Sequence, residues 1–346
     1  MAFSFGFAAD DDDDAEQRHN NLPATSAAAV QGGQTQLPQE LSLQQLLTTL
    51  PERISYSTVK IESPTGRTIH LPRRELYDVR VQLLGEESAE NDQIIDQLEQ
   101  SDLRSGFYEG GFKTWECSLD LASLLLDRGP RKDIDELVRC DQIVELGAGT
   151  AIPSLVLFRH ALLNALSLTF VLQDYNDAVL RLVTLPNLLL TWAANTENGN
   201  FPTPSLDESS HGDLEISESL LQRFAADMKS RSINLIFLSG SWCPQLAALI
   251  PPSAPELGMV VLAAETIYSP ESTRAFVELL VQLLQRVKMG KAMIGAKRVY
   301  FGVGGSIDGL KEACRERGAV AYEIENHGVP GMDGGVRRAL VEVQMY

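Results

Sequence analysis

The stretch Val144-Glu145-Leu146-Gly147-Ala148-Gly149-Thr150 decides the fold. It ends an apolar run, Gln142–Leu146, and turns on two glycines into a helical pattern over 152–167. A short apolar run followed by glycines reads as a buried strand entering a helix. Such glycines permit a tight turn and let backbone N–H groups approach a ligand at the helix start. Working outward, β-type apolar runs recur at Thr169–Gln173, Ile233–Ser239, Gly258–Ala264 and Ala292–Tyr300, with helical patterns between them. Near-continuous apolar strands alternating with helices predict an α/β, Rossmann-like fold: a parallel sheet with helices on both faces. Two later runs, Val320–Ile324 and Ala339–Tyr346, have no clear helix between them and predict an antiparallel hairpin at the sheet edge. The expectation is a seven-stranded, mostly parallel sheet.

The glycine turn is not that of a dinucleotide fold, whose third glycine would fall at 152, where Ile152 stands before Pro153. Asp174 closes the second strand, and an acid there can hold the two hydroxyls of a ribose. A nucleotide site without a pyrophosphate needs no third glycine. Glu145, Gly147, Gly149 and Asp174 together therefore favour S-adenosylmethionine over NAD. Gly240-Ser241-Trp242 follows the third strand, where an adenine would lie, and Trp242 can flank a purine or simply join the core. Glu265-Thr266-Ile267-Tyr268 follows the fourth strand and faces the expected position of the reactive methyl. Gly110-Gly111-Phe112-Lys113-Thr114-Trp115-Glu116 precedes the first helix of this domain. Its Trp115 can cover a sulfonium cation or pack helix on sheet. Tyr300-Phe301-Gly302-Val303-Gly304-Gly305 follows the fifth strand, with glycines that admit a substrate closely.

Composition sets the bounds. The chain has 346 residues, 44% hydrophobic and 22% charged, which excludes a wholly disordered, collagen-like or coiled-coil protein. The apolar region Leu155–Leu172 is broken by Arg159, His160 and Asn164, so no membrane span is expected. The first residues lack a basic region and an apolar core, so no secretory signal is expected. Cys117, Cys140, Cys243 and Cys314 form no C-x-x-C pair, which predicts no metal site and suits the reducing cytoplasm or nucleus. A formal net charge of −18 repels phosphates, so no direct nucleic-acid partner is expected. It attracts a basic protein, or simply serves solubility. Residues 1–40 read as a disordered acidic tail carrying Asp10–Asp14 and three aromatics, Phe3, Phe5 and Phe7. Residues 41–106 read as an N-terminal extension. It holds a short helix at Leu41–Leu50, a hairpin of Ile54–Ile61 and Thr68–Leu71 around Ser63–Gly66, and an acidic linker, Glu86–Asp102. Residues 107–346 form the main domain, with Glu197–Glu218 as an inserted loop.

The array TWECSLDL (114–121), VELGAGTAIPS (144–154), QDYNDAVLRLVTLPN (173–187), SGSW (239–242), AETIY (264–268) and YFGVGG (300–305) resembles the protein-histidine N-methyltransferases that modify a large-subunit ribosomal protein. These belong to the seven-strand, class I methyltransferases, and the FSFGF opening before a run of acids is similar to the fungal members. The resemblance implies that 107–346 is an S-adenosylmethionine-dependent methyltransferase domain. By resemblance, Thr114, Trp115, Glu116, Cys117 and Ser118 line one wall of the cofactor site. Gly147 approaches the methionine part, and Asp174, Tyr175 and Asn176 surround the ribose. Gly240, Ser241 and Trp242 frame the adenine, with Ala264 below it. Ala148, Ala151 and Ala264 replace a common cysteine, glycine and serine, so a side-chain hydrogen bond at Ala264 is lost. Lysine-modifying relatives commonly carry an Asp-x-x-Tyr motif where this chain has Glu265 and Tyr268, the candidate catalytic pair. A histidine, with a pKa of about 6.5, is mostly neutral at pH 7 and needs its tautomer fixed, whereas a lysine at about 10.4 must first lose a proton. The implied partner is a basic ribosomal protein, met by a monomeric enzyme. A protein-lysine methyltransferase and a non-catalytic, cofactor-binding ribosome-assembly module remain open as alternatives at this stage.

Overall fold

The computed structural model describes residues 36–86, 91, 94–95, 111–127, 140–195, 211–254, 257–325, 329, 332 and 336–346. The elements preceding the main sheet core are β1 (Gln39–Leu41), α1 (Leu43–Leu47), β2 (Arg53–Glu62), β3 (Thr68–Arg74), α2 (Leu76–Gly85) and α3 (Glu116–Leu126). Then come β4 (Cys140–Leu146), α4 (Ile152–Asn164), β5 (Thr169–Asp174), α5 (Leu185–Asn195), β6 (His211–Glu215), α6 (Glu218–Ser230) and β7 (Asn234–Ser239). The chain closes with α7 (Pro244–Leu249), β8 (Gly258–Ala264), α8 (Pro270–Leu284), β9 (Met289–Lys297), α9 (Ile307–Glu316), β10 (Ala319–Glu323) and β11 (Arg338–Met345). A π-helical turn over Leu180–Thr184 leads into α5.

The main sheet has the order β1-β7-β5-β4-β8-β9-β11-β10. Strands β7, β5, β4, β8 and β9 run parallel. Strand β11 lies antiparallel between β9 and β10, so the expected terminal hairpin forms with β10 at the edge. Alternate residues of each central strand enter opposite cores, as the pleat requires. Ile143, Phe170, Leu172 and Leu262 pack with Leu121, Leu155 and Leu188 from α3, α4 and α5. Val144, Val171, Val261 and Ala263 pack with Leu246, Phe276 and Leu310 from α7, α8 and α9. Burial on both faces is why these strands read as continuous apolar runs.

The sheet has eight strands where seven were expected. The extra one, β1, pairs antiparallel with β7; its Gln39 and Glu40 were assigned to the disordered tail and its Leu41 to the start of the expected helix. Its outer residues, Gln39 and Glu40, are exposed, and it is held by backbone hydrogen bonds on a free strand edge, which no apolar pattern announces. A second sheet, β3-β2-β6, holds the expected hairpin, with Gly66 at a φ of +85° in its turn. Ile54, Tyr56, Ile61 and Leu71 of this hairpin share a core with Leu121 and Leu125 of α3. The stretch Glu197–Glu218 is not wholly a loop: His211–Glu215 forms β6 on the free edge of β2, burying only Leu214. The helix expected over Leu41–Leu50 is shorter, Leu43–Leu47, and α2, α6 and α9 were not anticipated. The aromatics Phe3, Phe5 and Phe7, most of Glu86–Asp102, Gly110 and residues 197–210 lie outside the described residues. No helix among the described residues is long and apolar enough to cross a membrane.

Candidate active site

The chain order reverses between β4 and β8, and the carboxyl ends of the strands there are where an open α/β sheet binds its ligand. The loop after β4 bends through left-handed conformations at Gly147 (φ +68°), Gly149 (φ +51°) and Ala151 (φ +57°). A Cβ on Gly147 would stand 2.9 Å from Thr266 Cγ2 and 3.9 Å from Trp242 Cζ2. The glycine thus opens a cradle between the loops after β8 and β7.

Three buried polar side chains hold this cradle. Glu145, 1% exposed, lies beneath the loop, and its Oε2 accepts the Ser154 N–H at 3.0 Å in the first turn of α4. Ala151 there offers no capping side chain, so the carboxyl takes that part. Burial pushes the Glu145 carboxyl up to about 8, with the charge of Asp174 adding to the rise and the Ser154 hydrogen bonds opposing it. Asp174 accepts the Gly149 N–H at 2.9 Å on Oδ2 and the Asn176 N–H at 3.2 Å on Oδ1. Gln173, 1% exposed, accepts from Trp242 Nε1 at 2.7 Å and from the Gly147 N–H at 3.3 Å, and donates to the Gly240 carbonyl at 2.9 Å. It ties the loop after β4 to the loop after β7. The sequence reading passed over Gln173, although a glutamine closing an apolar strand is a visible signal.

The candidate residues divide by position. Gly147, Gly149, Asp174 and Trp242 meet at the cradle. Thr114 joins it through a 3.1 Å hydrogen bond to Thr150 Oγ1 and accepts from Arg73 Nη1 at 3.2 Å. Tyr175 gives its carbonyl to the Gly240 N–H at 3.2 Å, and Asn176 Oδ1 accepts from Ala178 at 2.9 Å, starting the next helical turn. Ser241 is taken up by the segment just before β1: its Oγ and its N–H each pair with the Gln36 backbone at 3.0 Å. Gly240 (φ +114°) has no room for a Cβ, which would meet Pro38 Cα at 2.7 Å. Glu116 is exposed, and Ser118 Oγ turns back to the Trp115 carbonyl at 2.8 Å. Ala264 is the last residue of β8, two residues before Thr266, whose methyl bounds the Gly147 cradle.

A second cluster stands at the ends of β8 and β9. Glu265 has a φ of +59°, which swings its side chain off the strand direction. Its Oε2 accepts the Tyr300 hydroxyl at 2.6 Å, and that phenol oxygen accepts the Lys297 N–H at 3.3 Å. Oε1 is buried with no hydrogen-bond partner among the described residues, and Lys297 Nζ stands 3.9 Å from it. Cys117 is fully buried, and burial together with the Glu265 charge pushes its thiol well up, so it stays protonated. Burial and Glu265 also raise the Tyr300 phenol, leaving it a neutral donor. Behind Cys117, Asp120 pairs with Arg338 Nε at 2.5 Å and fixes α3 to β11. The half-buried Tyr268 supplies its carbonyl to the Gly305 N–H at 3.0 Å, and a Cβ on Gly305 would stand 2.0 Å from the Ile267 carbonyl oxygen. The glycine loop therefore packs directly on the Glu265–Tyr268 segment. Sequence reading named Glu265 and Tyr268 but missed Lys297 and gave Tyr300 no role of its own.

The residues fit a nucleoside sulfonium: a glycine cradle open to a backbone approach, an acid at the end of β5 and an indole at the end of β7. Among the described residues no group of three His, Cys, Asp or Glu side chains is placed to hold a metal. Fold and site define a class I S-adenosylmethionine-dependent methyltransferase. No protein-family model matches the chain. Histidine protein methyltransferase 1 of Schizosaccharomyces pombe is 41% identical over 77% of this chain and 74% of its own length. The protein of the same name from Saccharomyces cerevisiae is 38% identical over 72% and 69%. The chain belongs to the histidine protein methyltransferase family and is an S-adenosylmethionine-dependent protein-histidine methyltransferase. Among solved structures, an O-methyltransferase family protein from Burkholderia thailandensis aligns with 78% of this chain and 71% of its own at 11% identity and a TM-score of 0.35.

Proposed function

We propose that the chain methylates a ring nitrogen of a histidine in a basic large-subunit ribosomal protein, with Glu265 orienting the imidazole. The observation that carries the role of Glu265 is its buried, unpartnered Oε1 at the end of β8, beside an Oε2 already fixed by Tyr300. When bound, S-adenosylmethionine supplies an electrophilic methyl carbon on a sulfonium. Oε1 accepts the N–H of one ring nitrogen, which sets the tautomer and turns the lone pair of the other nitrogen outward. That nitrogen would then face the methyl carbon of a cofactor held by the Gly147–Asp174 cradle, whose sulfonium would leave as a neutral thioether. The ring takes up the positive charge next to the carboxylate and then releases its proton to water. No net charge is created, so positioning and exclusion of water supply most of the effect.

The cofactor-contacting set is proposed to be Gly147, Gly149, Asp174, Tyr175, Asn176, Gly240 and Trp242, with Thr114 and Trp115 on the opposite wall. The ribosomal substrate is supported by the resemblance of the motif array and by the net charge of −18, which attracts a basic partner. Large ribosomal subunits from cells lacking the enzyme test it. Their proteins should contain a histidine one methyl group lighter, restored by the wild-type chain and not by E265Q. Unchanged methylhistidine in those subunits would remove the ribosomal assignment.

A further inference from the structure

Lys297, the last residue of β9, places its ammonium where a cation is well received. Nζ is 3.9 Å from Glu265 Oε1, 5.0 Å from the Trp115 ring centroid and 5.9 Å from that of Tyr300. A carboxylate with two aromatic faces attracts an ammonium group, the more so as water is excluded. The Glu265 side chain is 9% exposed and that of Lys297 21%. At 3.9 Å the lysine is a charge partner and donates no hydrogen bond, so the lone pairs of Oε1 stay available. Tyr300 already fixes the carboxylate through Oε2, and the lysine is not needed for that. Trp115, Glu265 and Tyr300 thus make a cation cage at the strand ends, and a residue of the enzyme fills it.

We propose that Lys297 determines the specificity of the reaction for histidine over lysine. Its ammonium stands beside Oε1, where a substrate ammonium would also be drawn, and like charges a few ångströms apart in a site poor in water repel strongly. An imidazole is mostly neutral at pH 7 and enters without that repulsion, and the charge it gains on methylation is met by the Glu265 carboxylate. Discrimination here is built from a repulsive element rather than from a tighter fit. The inference rests on the proposed role of Glu265 as the acceptor that faces the substrate nitrogen.

The test uses the full chain with Lys297→Met, which removes the charge, and Lys297→Arg, which keeps it. Lys297→Gln serves where K297M lowers the melting temperature. Each is incubated with methyl-tritiated S-adenosylmethionine and protein extract from cells lacking the enzyme, and hydrolysates are separated into methylhistidine and methyllysine. Wild type and K297R should label methylhistidine alone, and K297M should raise methyllysine at least tenfold. In parallel, calorimetry with n-butylammonium chloride, in the presence of S-adenosylhomocysteine, should show at least tenfold tighter binding to K297M than to wild type. If K297M labels neither residue, that gain in butylammonium binding supports the proposal without turnover. Retained histidine labelling with no methyllysine, or equal butylammonium binding in both forms, overturns it. Absence of methylhistidine with the wild type would instead strike the proposed function, while the butylammonium comparison still decides the cage.

Discussion

The Tyr300 hydroxyl donates to Glu265 Oε2 at 2.6 Å, and this bond leaves the other carboxylate oxygen buried and unpartnered among the described residues. A hydrogen bond to a charged group is worth about 1.5–3 kcal/mol. Tyr300→Phe should therefore lower kcat roughly ten- to a hundredfold, since the carboxylate loses its fixed direction. Glu265→Gln should lower kcat at least as much. Neither should alter the Kd for S-adenosylhomocysteine, measured by calorimetry, because neither side chain belongs to the cradle. A loss of cofactor affinity equal to the loss of kcat would place Glu265 in the cofactor site instead.

Asp174 holds the Gly149 N–H on one oxygen and the Asn176 N–H on the other. Asp174→Ala strands both donors and frees the loop. S-adenosylhomocysteine should bind more weakly by about 1–3 kcal/mol, the usual cost of an unsatisfied buried partner. Calorimetry that returns the wild-type affinity would separate Asp174 from the cofactor.

Glu145 carries a pH signature of its own. Burial raises its folded pKa to about 8, above the unfolded carboxyl range near 4.5. Between these values the native state holds a proton that the unfolded chain has lost, so stability falls as pH rises. The contribution is complete below the unfolded pKa and is lost as pH rises through about 8. Melting temperatures taken from pH 5 to 8.5 should show this decline, and Glu145→Gln, a neutral mimic of the protonated acid, should flatten it. An E145Q profile parallel to the wild type would refute the assignment.

The loop after β9 is predicted to set the substrate pocket through one residue without a side chain. Gly305→Ala would drive a Cβ to within 2.0 Å of the Ile267 carbonyl oxygen and 2.4 Å of the Tyr268 carbonyl carbon. These are backbone atoms and cannot step aside, so overpacking should cost about 1–3 kcal/mol. Stability should drop in a denaturant titration and kcat/KM should fall, while Gly302→Ala, with open space around it, should be milder on packing despite its φ of +82°. Equal effects at the two glycines would contradict the packing argument.

The central sheet was legible because each of its parallel strands is apolar on both faces, as in Thr169–Gln173 and Gly258–Ala264. Strands β1 and β6 were not, since each offers a single buried or half-buried apolar residue, Leu41 or Leu214, and is held by a partner's free edge. The glycine turn and the acids at 145 and 174 were legible as a ligand site, but the direction of those acids was not. Both carboxyls turn to backbone N–H groups, and a sequence shows no backbone geometry. Lys297 escaped notice, and Tyr300 was given no role of its own, because their meeting with Glu265 joins two strand ends through space. The same holds for Asp120 and Arg338, 218 residues apart.

The acceptor's chemistry also sets how the rate depends on pH. Turnover should fall below the pKa of the target imidazole, about 6.5 in an unperturbed ring, and level off above it. A rate that climbs from pH 7 to 10 would point to a lysine nucleophile.

The identity of the methylated residue tests the account most directly. Purified enzyme, tritiated S-adenosylmethionine and protein extract from cells lacking it should give, after acid hydrolysis and chromatography, radioactivity in methylhistidine and none in methyllysine. Radioactivity in methyllysine with wild-type enzyme, or in neither product, would contradict it.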